Sequence, residues 1–245
     1  MEKAQSAASR SLFQRGAASL KISEDPIFKK ELINQIYQRE FSERTGIHCS
    51  DLIYCLNKQT LRRLQPLEPD EHEILLFSLG WSTQRWLTGQ IADEQERTVD
   101  GITVTCDELF QDTPWELKCT FQSNEKPIHE NDSWLKQIMA QCYVHECTEA
   151  YLTRLELMGN WKSIFGKKEE KSRPENQKPT LHAYYLSFEP DELKANWLWL
   201  KNRAKIFSRM VESGKLISPK MALPENHTWE CGYCPEKYKE LCQNG

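Results

Sequence analysis

No apolar run in this chain approaches the roughly 18 residues that a membrane-spanning helix requires, and no charge-flanked apolar stretch of the secretory kind stands near its start. No membrane is expected to take part. An excess of positive charge is also missing: 32 Lys and Arg face 36 Asp and Glu, for a net charge of -4. That balance does not advertise nucleic-acid binding, although a net figure averages over faces and leaves room for a local basic stripe. Paired cysteines are lacking as well. Nine is an odd number, which argues against a disulfide scaffold and for thiols used as ligands or core residues in a reducing, cytoplasmic setting.

What remains is an ordinary globular composition. The 245 residues, 39% hydrophobic and 28% charged, suffice for one large domain or for one domain with a small appendage. The Ser/Ala/Arg-rich first twenty residues read as an N-terminal extension rather than a transit segment, because Glu2 and the shortness of the pattern speak against targeting.

Along the chain, Asp25-Pro26 opens an amphipathic helix that carries Phe28, Leu32, Ile33, Ile36 and Tyr37 and ends before Gly46. Ser50 caps a predicted second helix that buries Leu52, Ile53, Leu56 and Leu61, with Lys58, Arg62 and Arg63 on another face. A third helix is expected over roughly Glu71 to Glu94. The period then changes to two: Val99, Ile102, Val104 and Cys106 form one strand, and Trp115, Leu117, Cys119 and Phe121 form its hairpin partner across Gln111-Asp112-Thr113-Pro114. A helix over about 133–146 follows, then strands over 150–158 and 181–188. Between those two strands a Lys/Glu/Pro/Asn-rich loop, 162–179, has too little apolar content to build a core and is expected to be mobile. Pro190 opens a long helix with Leu193, Trp197, Leu200 and Phe207 on its apolar side and Lys194, Lys201, Arg203, Lys205 and Arg209 on the other. The fold class is therefore α/β in the mixed α+β sense, a small central mixed sheet flanked by helices.

Two constellations carry chemistry. Cys231-Gly-Tyr-Cys234 followed by Cys242 makes a metal site one ligand short, since tetrahedral zinc and iron-sulfur clusters normally take four protein ligands. Cys55 and Cys49 compete as the distant fourth thiolate. Cys106, Cys119, Cys142 and Cys147 read as small buried hydrophobes. Spacing does not separate zinc from a [4Fe-4S] cluster.

The second constellation is Asp107, at the end of one strand, with Glu116-Leu117-Lys118 on its partner. Two carboxylates, the Leu117 carbonyl and waters suit octahedral Mg²⁺ or Mn²⁺. Lys118 lies on the same strand face as Glu116 and is placed to hold an attacking water or to stabilise charge. An exposed Glu-Lys pair of little consequence is the blander reading of the same residues.

With both sets in view, the chain resembles the RecB-type branch of the PD-(D/E)XK nucleases, specifically the iron-sulfur members that include CRISPR-adaptation exonucleases and the AddB nuclease domain. The likeness runs from Ser50-Asp-Leu-Ile-Tyr-Cys55 to Cys242. It implies a restriction-endonuclease-like core over 49–222, preceded by an extension and helix over 1–48 and closed by a clasp over 223–245, where Cys231, Cys234 and Cys242 join Cys55 around a structural [4Fe-4S] cluster. It implies Asp107 and Glu116 as metal ligands, Lys118 as catalytic lysine, and Gln137 as the downstream helix glutamine that orients substrate. Where the family carries Gly-x-x-x-His, this chain has Gly80-Trp-Ser-Thr-Gln84, so the Gln84 carbonyl would stand in for an imidazole ligand. The activity implied is metal-dependent hydrolysis of DNA, single-stranded and from an end, in antiviral defence beside a CRISPR integrase or in repair beside a helicase. The substitution at Gln84 motivates the alternative of a catalytically silent DNA-binding or assembly subunit with the same fold, and a zinc module unrelated to nucleases is the third reading. Phosphates would be tracked by the basic residues of the second helix, the 162–179 loop and the long helix, with Trp197 or Trp199 free to stack on a base.

Overall fold

The computed structural model describes residues 23–41, 44–89, 95–120, 127–157 and 179–244. The chain divides into two compact units, Met1–Phe41 and Ser42–Gly245. The first contains helix α1, Pro26–Glu40, started by Asp25, whose carboxylate accepts from the Ile27 and Phe28 amides at 3.0 Å. The expected amphipathic spacing is there, yet none of the α1 residues is buried.

The second unit carries two sheets. A short one has strand order β1-β3-β2, formed by Ile47–His48, Ile102–Thr105 and Glu96–Val99, with β1 parallel and β2 antiparallel to β3. The larger has order β4-β5-β6-β7, formed by Glu108–Phe110, Thr113–Thr120, Glu149–Glu156 and Thr180–Ser187. Its β5 and β6 run parallel while both outer pairs are antiparallel. A parallel neighbour needs a crossover, and helix α5, Asp132–Val144, provides it. The fold is mixed α+β, with two small mixed sheets, where one central sheet was expected, flanked by helices.

Two sequence expectations are corrected at the centre of the chain. The single hairpin between Val99 and Phe121 is two hairpins. One turns at Asp100-Gly101, with φ of 51° and 76°, and the other at Gln111-Asp112, with φ of 53° and 63°; such paired left-handed residues match the right-handed twist of flanking strands. The signal for the first turn was present, since Val99 and Ile102 stand three apart, which breaks the period of two, and Asp-Gly is a favoured two-residue turn. The predicted second helix is likewise two, α2 (Cys49–Leu52) and α3 (Leu56–Leu64), and Cys55 is the N-cap of α3 instead of an interior residue. The third helix, α4, runs over Glu71–Thr88 and stops at Gly89, whose φ of 73° supplies the left-handed cap. The 162–179 loop lies outside the described residues except for Pro179.

The long helix α6, Pro190–Ser213, packs on α5 and on the α2-α3 pair. Leu52, Ile53, Leu56, Ile102, Trp197 and Leu200 centre the main core, while Ile138, Cys142, Leu152 and Leu193 form a second cluster between α5, the large sheet and α6. Burying each such aliphatic side chain stabilises by about 1.5–3 kcal/mol. Arg203, expected on the basic face of α6, is instead 7% exposed. Its guanidinium donates to the Leu52, Tyr54 and Ala222 carbonyls at 2.5, 2.6 and 3.1 Å. It thereby joins α6 to the α2-α3 bend and to helix α7, Pro219–Ala222.

The two tryptophans are also both engaged. Trp197 stacks on Tyr143 at 4.6 Å and donates to Asp100; Trp199 lies under Lys136 and Arg203, each 4.9 Å from its ring centre. Neither is free to stack on a base. No helix among the described residues is long and apolar enough to cross a membrane.

Candidate active site and cysteine cluster

The Gln111-Asp112 turn pairs Glu108 with Trp115, so Asp107, one residue beyond the ladder, arrives opposite Glu116. With β4 ended, the Leu117 amide has lost its strand partner. The Asp107 carboxylate replaces it, accepting from Leu117 N at 2.6 Å. Asp107 is therefore fixed to the backbone of the strand that presents Glu116 and Lys118.

Glu116 and Lys118 point to the same side of β5, toward α5. On that helix Gln137 and Gln141 stand four residues apart and share a face. Strand residues two apart are separated by about 6.6 Å and helix residues four apart by about 6 Å, so the two elements meet rung for rung. Lys118 Nζ donates to Gln137 Oε1 at 2.8 Å, and Gln141 Nε2 donates to Glu116 Oε2 at 2.5 Å. Across the rungs, Lys118 Nζ and Glu116 Oε1 lie 2.6 Å apart. Gln141 also donates to the Thr105 carbonyl at 3.1 Å, which ties the site to the short sheet.

Gln141 is the site residue that sequence reasoning passed over. It is fully buried, and the signal was its spacing from Gln137. Tyr143, two residues farther, turns away to Trp197. Gln84 is half-buried on α4, one residue after Thr83, whose hydroxyl lies 3.9 Å from the Cys119 sulfur. Among the described residues no hydrogen bond joins the Gln84 side chain to Asp107, Glu116 or Lys118.

The electrostatics are those of a carboxylate pair with less positive charge than it needs. Burial, then the neighbouring Glu116, pushes the Asp107 carboxyl up to about 8, against the Leu117 amide and Lys118, which favour its ionised form. Burial disfavours the Lys118 ammonium, but the charge of Glu116 and its hydrogen bond outweigh that and raise its pKa. A hard divalent cation between Asp107 and Glu116, touching the Leu117 carbonyl, fits this donor set and would relieve the repulsion. Lys118 and Gln141 each engage one Glu116 oxygen, so such an ion would share those oxygens with them.

The cysteine cluster is a separate place. Cys231 and Cys234 flank the end of a short 3-10 helix, Thr228–Tyr233, and Cys242 lies on α8, Glu236–Asn244. Cys242 Sγ accepts from Asn57 Nδ2 at 3.1 Å, and the Cys55 amide donates to Glu230 at 3.0 Å. Burial pushes the Cys55 thiol up to about 11, with Glu230 and Cys242 adding to it. The Cys234 thiol is raised by burial and by Cys231 and Cys242. The four thiols thus form one electrostatic neighbourhood. Cys49 does not belong to it: its thiol is buried and is pushed up to about 12 by burial and then by Glu116. Among the described residues no three His, Cys, Asp or Glu side chains converge tightly enough to hold a metal ion. The cluster nevertheless suits a thiolate-bound group in one respect, since the raised Cys55 and Cys234 thiols are stabilised when a cation takes their protons' place.

The predicted basic surface is partly spent on intramolecular pairs. Lys201 binds Asp100 at 2.9 Å, Lys194 binds Asp191 at 3.2 Å, and Arg63 binds Asp51 at 2.9 Å.

No protein-family model matches the chain, and no curated protein matches it. Among solved structures, a protein called SSO0001 superposes with a TM-score of 0.49 at 14% identity, over 85% of this chain and 93% of that one. A phage-related exonuclease from Haemophilus somnus 129PT superposes with a TM-score of 0.43 at 12% identity, over 75% of this chain and all of that one.

Proposed function

We propose that the protein is a metal-dependent nuclease that hydrolyses phosphodiester bonds in DNA, acting on single-stranded ends. The observation that carries this reading is the buried Glu116 with half-buried Asp107 beside it and Lys118 locked at 2.6 Å from Glu116. Asp107, Glu116 and the Leu117 carbonyl hold Mg²⁺ or Mn²⁺. When bound, that ion supplies Lewis-acid polarisation of the scissile phosphate and a lowered pKa for water. The chain's own residues do the rest. Lys118 stays protonated, held between Glu116 and Gln137, and presents an N–H to the attacking water or to charge building on the phosphate. Gln141 fixes the other oxygen of Glu116, so the carboxylate meets the ion in one orientation.

End-labelled single-stranded DNA with Mn²⁺ provides the direct test. Cleavage by the natural protein that is lost in Asp107→Ala supports the reading; no cleavage, or cleavage that survives Asp107→Ala, overturns it. A second reading is motivated by Gln84, which stands where the resembled family carries a histidine and makes no side-chain hydrogen bond to the carboxylates among the described residues: a DNA-binding subunit that retains the fold without the chemistry. Salt-dependent DNA binding with no metal-dependent cleavage would select it.

In either case Cys55, Cys231, Cys234 and Cys242 hold a structural [4Fe-4S] cluster. Support comes from the proximity of Cys55 and Cys234 to Cys242 across the chain. Iron analysis and visible absorption of anaerobic protein test it, because zinc thiolates are colourless.

A further inference from the structure

Helix α5 ends in a Schellman cap. Cys147 N donates to the Cys142 carbonyl at 3.1 Å and Glu146 N donates to the Tyr143 carbonyl at 3.3 Å, with Glu146 in the left-handed region at φ 57°. In this cap the residue after the left-handed position folds back against the residue three from the helix end. Hydrophobic side chains normally fill those two places; here both are cysteines. Their sulfurs converge on one acceptor, the Glu149 carbonyl oxygen, at 3.4 Å from Cys142 and 3.5 Å from Cys147. Cys142 is fully buried, whereas Cys147 is partly exposed. One thiol is therefore reachable from solvent with the other directly behind it.

We propose that Cys142 and Cys147 form a reversible oxidation site, in which the exposed thiol reacts with a peroxide and the buried thiol resolves the product as a disulfide.

The electrostatics agree with that order of attack. The adjoining Cys142 thiol, assisted by the Glu149 backbone and the Arg97 guanidinium, brings Cys147 down to about 7, while Cys147 and burial push Cys142 up. A thiolate, not a thiol, is the nucleophile. The Cys147 thiolate attacks one oxygen of hydrogen peroxide; an S–O bond forms, the O–O bond breaks, and the departing hydroxide takes a proton to leave as water. Cys142 sulfur then attacks the sulfenic sulfur. The S–S bond forms, the S–O bond breaks, and the second hydroxide leaves as water with the Cys142 proton. Two thiols have lost two electrons and peroxide has gained them. A thiol reductant reverses the step.

Neither cysteine belongs to the set assigned to the cluster, and neither touches Asp107 or Glu116, so the site stands apart from the proposed nuclease chemistry. Trypsin releases both cysteines in one peptide, residues 137–154, because no Lys or Arg intervenes. After brief peroxide treatment of the full chain, alkylation and digestion, that peptide is expected to be lighter by two hydrogens and to carry no alkyl group, and dithiothreitol before alkylation should restore two. In Cys142→Ala the oxidised Cys147 should stop at the sulfenic acid and take up dimedone. Retention of two alkyl groups after peroxide, pairing of either cysteine with one outside the peptide, or Cys147 without a dimedone adduct in the variant would each overturn the proposal.

Discussion

Gln141 shows how one buried amide can set the geometry of a charged group. Its nitrogen bridges Glu116 and the Thr105 carbonyl, two acceptors that leave the amide only one sensible orientation. Gln141→Leu removes both bonds and strands the buried Glu116 oxygen, which should cost about 1–3 kcal/mol, offset in part because the Gln141 Oε1, buried without a partner, is removed as well. Urea unfolding measures the loss, and unchanged stability would contradict the assigned contacts. Asp107 makes a pH-dependent prediction for the protein in chelator. Its carboxyl sits near 8 in the folded chain against about 3.9 when unfolded. Between those values the folded state holds a proton that the unfolded state has lost, so this group's contribution to stability falls as pH rises through that window. Asp107→Asn should be the more stable protein toward pH 8 and should show a flatter profile. Parallel profiles for the two proteins would refute the raised carboxyl.

At the scale of elements, the long helices and the large sheet were legible because each has a clear period: the apolar spacing of Leu193, Trp197, Leu200 and Phe207 places α6, and Trp115, Leu117 and Cys119 place β5. The turns were less legible. Asp100-Gly101 shifts the alternation by one residue between Val99 and Ile102, a small slip inside a longer apolar pattern, and the break at Cys55 falls between two helical apolar stretches that join smoothly on a helical wheel. Arg203 was read as surface because charge patterning reports a residue's type and not its partners, and the three carbonyls that receive it come from segments distant in sequence. The carboxylate site was legible in Asp107 and Glu116-Leu117-Lys118, whereas the role of Gln141 needed the facing helix. Arg203→Leu leaves the buried Leu52 and Ala222 carbonyls without this donor and the half-buried Tyr54 carbonyl to water, and should lower unfolding free energy by roughly 2 kcal/mol or more. Denaturant titration decides, and a loss below the error of the method would mean that water replaces the guanidinium.

For the whole molecule, the proposed cluster would link α3 to α8 through residues 55 and 242 and so close most of the chain into a loop. Anything bound only by the folded state adds to its stability, and long loops gain most from closure. Cys234→Ser should therefore lower both iron content and melting temperature relative to the natural protein. A colourless natural protein with an unchanged melting temperature in the variant would remove the clasp.

The facing rungs of β5 and α5 set a limit of their own. The strand repeat exceeds the helix repeat by about 0.6 Å, so the two act as a vernier whose marks coincide only briefly. Two rungs, Glu116 with Gln141 and Lys118 with Gln137, fall into register. The third would set Thr120 against Ser133, out of step by about twice that difference, and the Thr120 hydroxyl turns to the Leu155 carbonyl at 3.5 Å instead. In this molecule the matched polar pairs end after two rungs, which is the span of Glu116 and Lys118.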